Sequence, residues 1–227
     1  MKRFGTALAA LCLCVATATA AELLPFRASY SIRAHGLSGR GELHLQQHAN
    51  DRWSYDMHLQ GRGLARLVPG ANQRSRSEFH IVDGRVVPDS FTSTDNDQKY
   101  TFDWNAGRVN GTAARKPVDL AAQPSLLDTL SVQAALMQEL LSGREPSRFV
   151  LVDDGRIKDY LYTLERSETL ESIAGTHRTV IFSSRRPGSK KATYFWCAPD
   201  LGYLPLKVER RNGPDLEFAM TLAELER

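Results

Sequence analysis

The chain has 227 residues, 29 Lys and Arg against 26 Asp and Glu, and three cysteines. A formal net charge of +3 argues against bulk nucleic-acid binding, which neutralises phosphates with clustered cations. So few cysteines exclude a disulfide scaffold, and the chain is long enough to bury a core of its own.

The N-terminus reads MKRFGTALAALCLCVATATA. Lys2 and Arg3 precede an apolar run, Thr6 to Val15, that is too short to span a bilayer, and Ala18-Thr19-Ala20 has the pattern of a cleavage site. Residues 1–20 are therefore expected to be a signal peptide and 21–227 a single mature β-rich domain in the periplasm. Neither Cys12 nor Cys14 follows the Leu-small-small run of a lipoprotein signal. Without Lys2 and Arg3 the mature chain holds 27 basic and 26 acidic residues, a net +1, and Cys197 is its one cysteine.

From Phe26 onward the dominant signal is alternation. FRASYSIRA places Phe26, Ala28, Tyr30 and Ile32 on one face, and RWSYDMHLQ does the same with Trp53, Tyr55, Met57 and Leu59. DQKYTFDW sets Tyr100, Phe102 and Trp104 inward, and DLEFAMTL sets Leu216, Phe218, Met220 and Leu222 inward. Period two with one polar face marks half-buried antiparallel strands. Asp-Gly pairs in VDGR (82–85) and DDGR (153–156) mark hairpins, and Gly107 and Gly175 suit tight connections. The spacing predicts roughly a dozen strands. GRGLARLVPGANQRSR (61–76) is irregular and reads either as an apolar flap, with Leu64, Leu67 and Val68, or as a loop tucked into the core edge.

PSLLDTLSVQAALMQELLSG (124–143) breaks the pattern. Leu126, Leu130, Ala134, Met137 and Leu141 recur at helical spacing, Ser125 and Asp128 suggest a capping box, and Gly143 a stop. The expectation is one amphipathic helix near 125–142, packed on the sheet or plugging a barrel.

No metal, cofactor or catalytic constellation is expected. His44 and His48 lie on a predicted strand, where four residues span about 13 Å, whereas zinc ligands sit about 2 Å from the ion. TDNDQK (94–99) begins like a calcium loop but has Tyr100 and Ala106 where a glycine and a glutamate belong. Nucleophile-elbow, dinucleotide-binding and phosphate-loop motifs do not occur. In TYFWCAPD, Cys197 has no histidine close in sequence and is expected to be a small buried hydrophobe. SSRRPGSKK places Arg185, Arg186, Lys190 and Lys191 around a Pro-Gly turn, as candidates for contact with an anionic lipid surface or an acidic partner.

Three stretches resemble the bacterial secreted family catalogued as domain of unknown function 3108. LLDTLSVQAAL carries Asp128 and Ser131 in an Asp-x-x-Ser arrangement. VDDGRIKDYLYTLERSETLESIAGTHRTVIF carries an Asp-Gly turn, a Tyr-rich strand and a Gly before a Thr-Val-x-Phe strand. FWCAPDLGYLPLKVE pairs Trp-x-Ala-x-Asp with Tyr-x-Pro. The resemblance implies a secreted β protein in which Trp196, Pro199, Asp200, Tyr203 and Pro205 are turn and packing positions, and it implies no reaction.

The expected architecture is all-β with one helix: a strongly curved antiparallel sheet or near-closed β-barrel. Barrels of this size often enclose a cavity. Tyr30, Trp53, Tyr55, Phe102, Trp104, Tyr194 and Trp196 are the candidates to line it. By analogy with half-barrel lipoprotein carriers, this favours a non-catalytic carrier or chaperone for a lipid, lipoprotein or other envelope hydrophobe. The alternative is an assembly factor binding an envelope protein through a sheet edge or the basic hairpin. A hydrolase with a spatial Asp/His site ranks last.

Overall fold

The computed structural model describes residues 22–63, 65 and 71–227. The expected signal peptide, and Leu64, Leu67 and Val68 of the expected flap, lie outside the described residues.

The alternating segments form strands. In chain order these are β1 (Phe26–Ala34), β2 (Leu37–Gln47), β3 (Arg52–Gly61), β4 (Asn72–Val82), β5 (Arg85–Ser93), β6 (Gln98–Asp103), β7 (Arg108–Ala113), β8 (Lys116–Ala121) and β9 (Leu126–Asp128). After the helix α1 (Ser131–Leu141) come β10 (Arg148–Asp153), β11 (Arg156–Ser172), β12 (Gly175–Arg185), β13 (Lys191–Ala198), β14 (Leu204–Asn212) and β15 (Asp215–Glu226). All belong to one 15-stranded sheet in the order β8-β7-β6-β5-β4-β3-β2-β1-β15-β14-β13-β12-β11-β10-β9. This is more strands than the dozen expected, because short pairs such as β7 and β8 carry too few residues to show their alternation. The two Asp-Gly turns form as expected, with both residues left-handed: Asp83 and Gly84 at φ 51° and 69°, Asp154 and Gly155 at 52° and 69°. That is the backbone a two-residue hairpin of right-handed twist requires.

Pairing is antiparallel except between β9 and β10, which run parallel. The first and last strands pair in the middle of the sheet, Tyr30 opposite Leu222 and Ile32 opposite Met220. The end strands β8 and β9 do not pair, so the sheet is strongly curved but not hydrogen-bonded shut. Packing does what the ladder does not. The β10–β11 turn lies against β6, β7 and β8: the Gly155 N–H donates to Tyr100 Oη at 2.8 Å, and the Asp154 N–H to Gln98 Oε1 at 3.0 Å. A Cβ at Gly155 would stand 2.9 Å from Val118 Cγ2, so this contact needs glycine for space as well as for its φ.

The helix is shorter than the expected 125–142 span and is not amphipathic in its setting. Leu126 to Asp128 are a strand, and α1 begins at Ser131. Val132, Ala134, Ala135, Leu136, Met137 and Leu140 are all buried, as are Ser131 and Gln138. A helix covered on nearly every side belongs inside, and α1 packs against β4, β5 and β9. Its start is set by a capping box three residues later than the sequence suggested. Asp128 Oδ1 accepts the N–H groups of Leu130 and Ser131, both at 2.8 Å, while Ser131 Oγ accepts the Asp128 N–H at 3.0 Å. Asp128 Oδ2 accepts the Ser77 hydroxyl of β4 at 2.7 Å. At the other end Arg144 donates to the Gly84 carbonyl at 2.6 Å and pairs with Glu139. The helix is thus pinned to the β4–β5 hairpin at both ends.

The rest of the interior is filled by rings in contact. Phe26 meets Tyr55, Trp53 stacks on Phe79, Phe91 on Tyr100, and Phe149 abuts Tyr162, with centroids 4.8 to 6.4 Å apart. Such spacing is the range of favourable aromatic pairs.

Burial raises the pKa of Asp128 above its ordinary value. Its folded pKa therefore exceeds its unfolded one, so its stabilising contribution is full at acid pH and declines as pH rises through the folded value. Asp128→Ala strands three buried donors and should cost about 2–4 kcal/mol in urea titrations. Asp128→Asn keeps an acceptor for the two N–H groups and offers Ser77 an amide. It should gain on wild type as pH rises from about 4 to 7; a difference independent of pH would contradict this reading of the carboxyl group.

Candidate interaction rim

Four of the seven candidate cavity aromatics are buried in the hydrophobic core: Tyr30, Trp53, Tyr55 and Phe102. Tyr30 Oη donates to the Pro205 carbonyl at 2.9 Å. Trp104 is half-buried at the edge of this core, stacked on Phe102, and its indole N–H donates to the Pro88 carbonyl at 2.7 Å. Tyr194 and Trp196 must be corrected. On β13 the core side is taken by Phe195 and Cys197, while Trp196 lies opposite Ile181 and Lys207 on the other face. There the Trp196 indole N–H donates to Glu168, the Lys207 ammonium stands 4.4 Å from the ring centroid, and Tyr194 lies beside it. This strand is apolar on both faces, so alternation alone did not say which face is inside.

Cys197 is fully buried, and desolvation pushes its thiol up to about 12. A thiol so placed does not ionise at neutral pH and is a poor nucleophile.

The structure brings histidines to carboxylates in two places. His80 Nδ1 meets Asp89, which also holds Arg52. His177 Nδ1 lies 2.7 Å from Asp200 Oδ2, and its Nε2 lies 3.0 Å from the Ala174 carbonyl. With both nitrogens facing acceptors, this ring serves as a clamp between the β11–β12 tip and the Pro199–Leu201 turn, and neither nitrogen is left to act as a base. His48 Nε2 lies 2.8 Å from the hydroxyl of the buried Ser54; among the described residues no carboxylate bonds to that ring.

A shallow trough of about 640 Å³ crosses the outer faces of β1 to β6, with Arg27, His44, Asp56, Arg76 and Lys99 in its lining. Arg76 there donates to both oxygens of Asp56 at 2.9 and 2.8 Å, while Arg27, Arg74 and Lys99 of the lining are exposed without ion pairs among the described residues.

The rim is different. In an antiparallel meander alternate turns collect at one end. The turns after β1 (His35-Gly36), after β12 (Arg186–Lys190) and after β14 (Gly213-Pro214) share a rim, and the Gly213 N–H donates to the Lys190 carbonyl at 3.1 Å. Register then sets neighbours that are remote in sequence. Leu161, Arg185, Ala192, Arg211 and Leu216 form one row across five strands. Thr193, Arg210, Phe218, Ala34 and Leu37 form the next. Of the candidate contact residues, Lys191 is engaged with Glu217 at 2.8 Å. Glu209 takes up Arg211 at 2.7 Å and Lys207 at 2.6 Å. Burial alone would raise the Glu209 pKa, but these two hydrogen bonds hold it below the usual carboxylate range. That leaves Arg33, Arg185, Arg186, Lys190 and Arg210 exposed and without an ion-pair partner among the described residues. Exposed leucines stand among them: Leu37 at 39%, Leu161 at 41% and Leu216 at 49%. Sequence reasoning found the hairpin cations but missed Arg33, Arg210 and the leucines, because only cross-strand register brings them there.

Comparison with known proteins places this architecture. Residues 26–218 match the family described as "Protein of unknown function (DUF3108)". A beta-barrel-like protein of domain of unknown function DUF1849 from Brucella abortus has a similar fold. Its TM-score is 0.57 at 14% identity, over 91% of this chain and 99% of that one. The complex of Pseudomonas aeruginosa MucA and MucB gives a TM-score of 0.39 at 13% identity, over 89% of this chain and 51% of the other. No curated protein matches the chain.

Two expectations follow. The Cys197 thiol should resist a disulfide reagent in the native state and react in denaturant. Cys197→Ala should fold, and Cys197→Ser, which buries a hydroxyl, should cost about 1–3 kcal/mol. The Asp200 hydrogen bond raises the His177 pKa, so its contribution is full at acid pH and is lost as pH rises through the folded value. His177→Gln should therefore lower the melting temperature near pH 5 more than near pH 8, and an equal loss at both would show that the ring acts by packing alone.

Proposed function

The chain belongs to the DUF3108 family, whose description assigns no reaction, and from that premise we propose that it is a non-catalytic binding protein of the cell envelope. It reaches the periplasm by removal of residues 1–20 and engages an anionic partner surface with its basic rim. The observation that carries this reading is the gathering of Arg33, Arg185, Arg186, Lys190 and Arg210, without ion pairs among the described residues, around exposed leucines at one end of the sheet. Elsewhere Arg76 is taken up by Asp56 and Arg108 by Asp119, while Arg27, Arg62, Arg74, Lys99, Lys116, Arg156 and Arg178 are exposed without ion pairs among the described residues but are spread over β1, β4, β6, β8, β11, β12 and the segment after β3. Carriage of a lipid or lipoprotein inside the sheet is the alternative. It draws support from Tyr55 Oη, Gln133 Nε2 and Gln138 Oε1, which are buried without hydrogen bonds, but it requires α1 to leave its anchors on Ser77 and Gly84. Partner binding at the β8 edge is disfavoured by Pro117, which removes one donor from that edge.

Salt and charge reversal test the rim. In cells, the protein should stay with the envelope fraction at low ionic strength and be released by salt. The combined substitution Arg185→Glu, Arg186→Glu and Lys190→Glu should release it without salt. Retention insensitive to both would contradict the rim reading. Solvent extraction of purified protein should yield no stoichiometric lipid; a one-to-one lipid would install the carrier instead.

A further inference from the structure

We propose that the partner of the basic rim is the bilayer itself: the rim docks on an anionic phospholipid surface, with leucines entering the interface and arginines lying at the phosphates. The inference rests on the reading of the rim as the contact surface and names what it contacts. Its ground is the interleaving of two kinds of side chain. An acidic protein would be matched by cations alone, but this rim alternates them with exposed apolar groups. Along one row Leu161 precedes Arg185, and Leu216 follows Arg211. At about 4.8 Å per strand, these two leucines stand about 19 Å apart along the sheet, with Arg185 between them and the Arg186–Lys190 turn above; on the Leu161 side β11 continues through Arg156–Tyr160 to the β10–β11 turn, which bends over against β6, β7 and β8 and leaves Leu161 exposed. Leu37 opens β2, directly after the neighbouring β1–β2 turn. Apolar side chains beside cations at one end are what holds a peripheral protein at the headgroup boundary, where burial of the first and attraction of the second add.

The acids of this rim do not cancel the cations. Glu217 is engaged by Lys191, and Glu209 by Lys207 and Arg211. Asp153 and Asp154 of the β10–β11 turn both face Lys158, at 2.8 and 3.4 Å. Asp215 of the β14–β15 tip and Asp95 of the β5–β6 turn, which the Asn96–Asp154 hydrogen bond places at the same end, are exposed carboxylates without an ion pair among the described residues, set against Arg33, Arg185, Arg186, Lys190 and Arg210. The described start of the chain leads into β1, and β15 ends, at the opposite end of the sheet. Arg178, an exposed cation without an ion pair among the described residues, lies towards that far end near the β11–β12 turn.

Co-sedimentation of the purified mature protein with vesicles tests this. It should pellet with phosphatidylglycerol-containing vesicles at low salt and remain in solution with pure phosphatidylcholine. The Arg185→Glu, Arg186→Glu, Lys190→Glu variant should lose at least about tenfold in partition. The double variant Leu161→Ser, Leu216→Ser should lose severalfold without changing the salt dependence. Arg178→Glu should bind as wild type. All these positions are exposed, and circular dichroism checks that each variant is folded. If wild type ignores phosphatidylglycerol while the charge-reversed variant still leaves the envelope in cells, the partner is an acidic protein; the bilayer inference falls and the rim reading stands. If Arg178→Glu weakens vesicle binding as much as the rim variant, attraction is diffuse and the proposed docking surface is wrong.

Discussion

A curved sheet whose end strands do not pair needs something at its centre, and here the chain supplies it by threading β9 and α1 back inside. The carboxyl group of Asp128 makes that arrangement possible. It caps α1 through two backbone donors and bonds Ser77 on the facing wall, so one side chain sets both where the helix starts and which strand it lies on. Arg144 repeats the attachment at the other end through the Gly84 carbonyl. Between these points Val132, Leu136, Met137 and Leu140 of the helix belong to the same buried cluster as the aromatic rings. Without the carboxyl group, three buried donors would face apolar surroundings, which is among the costlier defects a core can hold.

The same logic explains why a β interior carries polar residues. Ser77 receives the helix anchor, and Gln98 and Tyr100 receive the N–H groups of the β10–β11 turn. Ser75 and Ser93 satisfy each other at 2.8 Å. These groups are matched to the chain's own insertions. On the outside, five exposed cations without ion pairs among the described residues gather at one rim. Charge and apolar exposure coincide at that rim through register, since Leu161 and Leu216 flank a row containing Arg185 and Arg211.

Much of the fold was legible before any coordinates. Alternation in β1, β3, β6 and β15 and the two Asp-Gly turns gave strands, hairpins and a curved sheet, because each signal is local. What was not legible depended on long-range contacts. Trp196 looked like a core residue because its strand is apolar on both faces, and only the packing of Cys197 and Phe195 decides which face is inside. The helix looked amphipathic because Leu126, Leu130, Ala134, Met137 and Leu141 recur at helical spacing, yet Ala135, Leu136 and Gln138 are buried as well. Ser125 resembled a cap, but its φ of 60° belongs to a turn, and the capping carboxyl group lies three residues on. The rim was legible only in its hairpin; Arg33 and Arg210 are 177 positions apart and reach the same end of the sheet, in adjacent rows, through the pairing of β1, β15 and β14.

The central claim is that this protein binds with its basic rim while its plugged interior stays shut. Hydrogen–deuterium exchange of the mature protein with and without phosphatidylglycerol vesicles tests both halves at once. The account predicts new protection at residues 34–38, 186–191 and 212–216, none at the opposite turns 173–174 and 199–202, and unchanged slow exchange across Ser131–Leu141. Faster exchange in α1 on adding vesicles, or protection at the far turns, would contradict it.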